Sequence, residues 1–180
     1  MSRPISTNQS LPTLVLHVLL VVAAVFAAVV HFIGPVLPYD DAFITFRYVD
    51  NLVAGHGLVY NLNEHVFGAS TPGYVVWLAG LKLLLPALST PVIAVRTNLL
   101  LFLFAAGSLW AFASRVSDSR RLPLVLAILF LINPQLLAIS MGGMETVGAI
   151  GLVLAAGSAA FAGRPVLFGL AAGFAVVLRL

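Results

Sequence analysis

Residues 14–33 read LVLHVLLVVAAVFAAVVHFI, and residues 34–48 follow as GPVLPYDDAFITFRY. The first stretch is 20 residues long, is interrupted only by His17, and carries His31 near its end. As a helix rising ~1.5 Å per residue it covers a hydrocarbon core of ~30 Å. A secretory signal is the competing reading. Its apolar segment would run only about 7–15 residues and lead to a small-x-small cleavage site, which is not evident here. The run therefore predicts a retained transmembrane helix. The second stretch sets Asp40 beside Asp41 just beyond that helix, and these are two of only 6 acidic residues in 180. A charge at the bilayer centre costs ~3 kcal/mol or more. At the membrane edge the pair sits in interfacial water and can face a lipid-borne substrate.

Composition agrees with a membrane setting. Hydrophobic residues make up 61% and charged residues 8%, where a soluble domain carries about 25% charge. Mean hydropathy is +1.10. The apolar runs suit helices rather than barrel strands. Nine basic residues give a net charge of +3. They are scattered, so nucleic acid is not a partner that the charge pattern suggests; loop cations at a membrane account for them. Cysteine is absent, which excludes disulfides and cysteine metal sites.

Along the chain, Met1 to Pro12 reads as a short cytoplasmic tail. Gly34-Pro35 ends the first helix and Pro38 keeps the backbone extended. Asp40 is then expected as an N-cap, with Asp41 in a first turn where the helix dipole favours a negative charge. Ala42, Phe46, Val49 and Val53 recur at helical spacing. They predict an amphipathic interfacial helix over about 40–54, stopped by Gly55 and Gly57. An ordered loop, His56 to Thr71, follows. Pro72 to Pro86 is apolar but short and contains Lys82, so a second interfacial or re-entrant helix is expected at about 73–86. Spans are expected at about 92–113, 122–139, 146–162 and 166–180, with Asn133-Pro134 kinking the second of these. The predicted fold is all-α: one polytopic transmembrane domain over residues 1–180.

Charge sets the expected topology. The turn with Arg115, Arg120 and Arg121 against Asp118 belongs on the cytoplasmic side, like the N-terminus. Two crossings, 14–33 and 92–113, satisfy this if Pro72–Pro86 stays on the outer side. The next crossing brings Glu145 to the face that holds Asp40 and Asp41. Arg164 then lies inside, and Arg179 returns towards the outer face.

Each unusual residue has a structural and a chemical reading. Asp40, Asp41 and Glu145 begin helices, yet a carboxylate can also act as a general base on a hydroxyl or help hold a divalent cation. His56, Glu64 and His65 lack the tight spacing of metal ligands and suit loop hydrogen bonding. Phe43, Phe46, Tyr48 and Trp77 suit interface anchoring and packing. Arg96 and Lys82 suit snorkelling, and Arg179 has the fork that grips a lipid phosphate. No phosphate-binding Gly-x-x-x-x-Gly-Lys-Ser/Thr loop, Gly-x-Ser-x-Gly or His-Glu-x-x-His occurs.

Asp40-Asp41-Ala-Phe-Ile-Thr-Phe-Arg47-Tyr48, then Asn51-Leu, Gly55-His56-Gly57-Leu-Val-Tyr-Asn61 and Glu64, resembles the first outer loop of the GT-C membrane glycosyltransferases. The nearest branch is the arabinofuranosyltransferase-like and polyprenyl-phosphate-mannose-transferase-like group. Gly143-Met144-Glu145-Thr146 resembles that branch's Gly-Leu/Met-Glu-Thr signature in the second outer loop. The resemblance runs from about Leu14 to the end. It implies a transferase that uses a polyprenyl-phosphate sugar on the outer side of the plasma or inner membrane. The acceptor would be a glycan, lipid or protein of the cell envelope. By position Asp40 maps to the general base, with Asp41 second. Glu145, Arg47, His56 and Arg179 are the expected substrate-binding residues. A divalent metal (Mg or Mn), where one is used, would fall to Asp41 and Glu145. The family's Val-Glu-Gly is Val66-Phe67-Gly68 here, and its Thr-Arg-Pro-Glu/Asp-Gly element is only Leu178-Arg179-Leu180. Members carry more spans, so the expectation is an N-terminal portion of such an enzyme or a truncated product.

Two other readings stand beside it. A transporter would use Asp40, Asp41 and Glu145 as an ion or proton relay, though the acids lie at span ends and no inverted repeat is visible. A non-catalytic membrane subunit is the third reading.

Overall fold

The computed structural model describes residues 10–64 and 68–179, and these form eight helices with no strand among the described residues. The helices are α1 (Ser10–Ile33), α2 (Asp40–Val53), α3 (Pro72–Leu84), α4 (Thr90–Val116), α5 (Leu122–Ile132), α6 (Pro134–Met141), α7 (Thr146–Phe161) and α8 (Pro165–Leu178). Proline stands at the first or second position of α3, α4, α5, α6 and α8. There its missing N–H has no partner to lose and its fixed φ starts the turn.

Helices α1 and α4 are each long and apolar enough to cross a membrane, and the α5–α6 pair is a third candidate if it counts as one span. The expected kink at Asn133-Pro134 is a break between two helices, bent by 57°. Pro134 cannot donate to the preceding turn and its ring clashes there. The Asn133 side chain restarts the helix by accepting from the amides of Gln135 (2.9 Å) and Leu136 (3.1 Å). Helices α3, α7 and α8 are apolar but shorter, at 13, 16 and 14 residues.

Helix α4 is the hub and touches α1, α2, α3, α5, α6 and α7. One core joins α2, α3 and the start of α4 through Phe46, Val49, Tyr74, Leu78 and Ile93. The other joins α1, α4, α5, α6 and α7 through Ala27, Phe102, Leu131, Leu137 and Val147. Small residues on α7 bring it close to α4. A Cβ on Gly151 would lie 2.7 Å from the Phe104 ring and 3.1 Å from the Ala105 Cα, the close approach typical of apolar helix pairs in membranes. Helix α8 buries none of its residues. Large apolar side chains also line the outside of α1, including Val21 at 62% exposure and Ile33 at 81%, as a lipid-facing surface would.

Candidate functional site

The end of the bundle where α1 finishes is built by local backbone chemistry. After Pro35 the chain runs extended to Tyr39, whose amide donates to the Gly142 carbonyl at 3.0 Å. This bond ties the start of α2 to the α6–α7 loop. Tyr39, not Asp40, is the N-cap of α2. Asp40 and Asp41 both occupy its first turn, and neither side chain caps the helix. The expected capping role of Asp40 is therefore corrected. Tyr39 already has the extended backbone of a cap, which moves Asp40 one position into the helix. Both carboxylates are exposed, and neither takes part in a hydrogen bond or ion pair among the described residues.

The facing loop, Gly142 to Glu145, is held from several sides. Gly143 has φ +77° and fits against α2, where a Cβ would stand 2.9 Å from the tip of Phe46. Only glycine takes that backbone without strain. The fully buried Asn98 of α4 donates to the carbonyls of Ser140 and Met144, both at 2.9 Å. Its side-chain oxygen accepts from the Tyr74 hydroxyl at 2.9 Å, and that hydroxyl also lies 3.2 Å from the Gly143 carbonyl. On the other flank the buried His31 Nδ1–H donates to the Ala27 carbonyl, and its Nε2 lies 3.0 Å from the Ser140 hydroxyl, which donates to the Leu137 carbonyl at 2.7 Å.

Glu145 follows this braced loop and is only 1% exposed. Neither carboxyl oxygen has a hydrogen-bond partner. Its nearest cation is Arg179, with Nη1 3.6 Å from Oε1, and Arg179 also donates to Thr146 Oγ1 at 3.2 Å. Burial pushes the Glu145 carboxyl above its usual range, while its own amide and Arg179 pull the other way. Beside this end lies an apolar cavity of about 500 Å³ between α3, α4, α7 and α8, walled by Val76, Trp77, Leu101, Phe104, Phe174 and Val177.

Other expected residues have structural partners. Arg47 donates to the Tyr60 carbonyl at 2.9 Å and lies over the Tyr60 ring, so it pins the loop after α2. Asn51 bonds the carbonyls of Val59 and Tyr60. His56 is exposed, its amide donating to the Asn51 carbonyl. Glu64 accepts from Asn61 Nδ2 at 2.8 Å. His65 lies outside the described residues. Phe43 and Trp77 are exposed, as interface anchors would be, but Phe46 and Tyr48 are buried. The Tyr48 hydroxyl accepts from the Gly68 amide, and Phe46 and Tyr48 fill the packing part of the expected role. Arg96 does not snorkel freely: Nη2 donates to the Gly34 carbonyl at 3.3 Å and Nη1 is buried without a partner. Lys82 bonds the carbonyls of Pro86 and Leu88, closing the turn after its own helix.

No group of three His, Asp or Glu side chains that could hold a metal converges among the described residues. An ion at Asp41 or at Glu145 would therefore need substrate phosphate and water for most of its shell, as magnesium sites often do.

Sequence reasoning missed Asn98, Tyr74 and Asp50, which accepts from the Thr90 hydroxyl and ties α2 to α4. Asn98 carried a usable signal, as an amide inside an apolar helix needs buried partners. Comparison with protein-family models, curated proteins and solved structures returned no match to this chain.

Proposed function

We propose that this chain is a multi-pass membrane glycosyltransferase module of the GT-C kind. It moves a sugar from a polyprenyl-phosphate donor to a hydroxyl of a cell-envelope glycan, lipid or protein on the outer face. The observation that carries the reading is the meeting of two loops at one end of the bundle. One presents the unpartnered Asp40–Asp41 pair. The other holds the buried Glu145 beside Arg179. The likeness of both loops to the GT-C motifs supports the same assignment.

Asp40 takes the proton from the acceptor hydroxyl as its oxygen attacks the anomeric carbon of the donor. The bond from that carbon to the phosphate oxygen breaks, with inversion, and polyprenyl phosphate leaves with the electron pair. Arg179 meets the charge that develops on the phosphate, and Glu145 holds and orients Arg179. Asp41 positions the acceptor. The apolar cavity next to Leu178 suits the first part of a prenyl chain.

The test is sugar transfer from a polyprenyl-phosphate donor in membranes carrying equal amounts of each variant. Asp40→Asn keeps the shape but cannot accept the proton, and transfer should fall by about 10²–10⁴-fold. Asp41→Asn should be milder. A dead Asp41→Asn beside a normal Asp40→Asn would move the base to Asp41. Full activity in both would overturn the proposal.

A further inference from the structure

We infer that the opposite end of the bundle holds a dedicated site for one anionic phospholipid, seated between α4, α7 and α8. A cavity of about 520 Å³ lies there, separate from the one beside Arg179 and divided from it by Phe104 and Leu152, which line both. Its walls are apolar, with Leu167 and Leu170 of α8 facing small residues of α4 and α7 such as Gly107 and Ala155. Its charged lining residues are Arg115, from the last turn of α4, and Arg164, which precedes α8. No acid lines the cavity.

Both arginines are exposed, and among the described residues neither forms an ion pair. Arg115 uses Nε to donate to Ser158 Oγ at 3.1 Å. That bond orients the guanidinium and leaves both Nη groups for an anion, the arrangement that recognises phosphate. A phosphate between the two arginines places its acyl chain along the apolar walls. Sugars and soluble anions do not match such walls, and a zwitterionic head group would bring a cation to a doubly cationic rim. The nearby α4–α5 turn adds Arg120 and Arg121 against Asp118. This end is thus the basic end of the bundle, the one the positive-inside rule assigns to the leaflet rich in anionic lipid. The site is independent of sugar transfer.

The experiment reconstitutes the chain into vesicles of phosphatidylcholine with phosphatidylglycerol, re-extracts it in mild detergent and counts retained lipid by native mass spectrometry. One phosphatidylglycerol per chain is expected, in clear excess over phosphatidylcholine. Arg115→Gln and Arg164→Gln should each weaken retention about fivefold, and the double variant about twenty-fivefold. Ala155→Phe, which fills the cavity and keeps both arginines, should also release the lipid. Lys82→Gln, away from the cavity, should retain it. Monodisperse elution and an unchanged apparent Tm establish that the variants fold. If the arginine pair is too unstable to measure, the filled-cavity variant decides alone. Equal retention of both lipids, retention by Ala155→Phe, or a lipid-free dimer held through this face would overturn the inference.

Discussion

Glu145 shows what a single residue does once its surroundings are known. Burial raises its folded-state pKa above the ordinary 4.5. The folded chain therefore keeps a proton that the unfolded chain releases. Stability from this group is full below the unfolded pKa and falls as pH climbs from there through the folded value. Glu145→Gln has nearly the same shape and does not ionise. Its apparent Tm in detergent should stay flat across that window while the wild type declines, and matching slopes would mean the carboxyl is solvated after all. Residue-level legibility was uneven. Asp40 and Asp41 stood out because adjacent acids beside an apolar run are costly to place. Asp40 stands one position further into the helix than expected, since cap geometry depends on the backbone of Tyr39, whereas Asp41 lies in the first turn as expected. Arg179 was visible as a cation, but its meeting with Glu145 was not.

At the scale of elements, proline punctuation made most boundaries readable. Predicted segments and observed helices agree to within a few residues wherever Gly or Pro closes a run, although of the five expected spans only α1, α4 and, taken as one, the α5–α6 pair are long and apolar enough to cross. The α5–α6 break is sharper than a kink because Asn133 caps a new helix in addition to Pro134 interrupting the old one. The pairing of α4 with α7 left a weaker trace, as glycines spaced along an apolar helix. Gly151→Val tests it. The added atoms would enter the Phe104 ring and the Ala105 backbone, and overpacking of this sort costs about 1–3 kcal/mol. Thermal unfolding in detergent should start several degrees lower. An unchanged midpoint would show that α4 and α7 separate without cost.

For the whole molecule, the fold gathers Asp40, Asp41, Glu145, Arg96 and Arg179 at one end and Arg115, Arg120, Arg121 and Arg164 at the other. Helices α1 and α4 supply the length to cross a membrane. The complete topology is testable because the chain has no native cysteine. A cysteine at Ser70 should react with an impermeant thiol reagent added outside intact cells. One at Ser117 should react only after the membrane is opened. Equal outside labelling of both would put α3 across the membrane and separate Glu145 from Asp40.

The sequence by itself determined the helical class, the positions of the long apolar helices and the segregation of charge. These follow from local properties: run length, proline and glycine placement, and the cost of charge in an apolar medium. Only the tertiary structure decided that Glu145 is buried, that Arg179 lies beside it, and that Asn98 braces the loop before it. Those outcomes depend on which helix faces meet. Tyr74 reaches Gly143 across 69 residues and His31 reaches Ser140 across 109. A lone polar residue in an apolar helix announces that it needs a partner, but its own segment does not contain the partner's address.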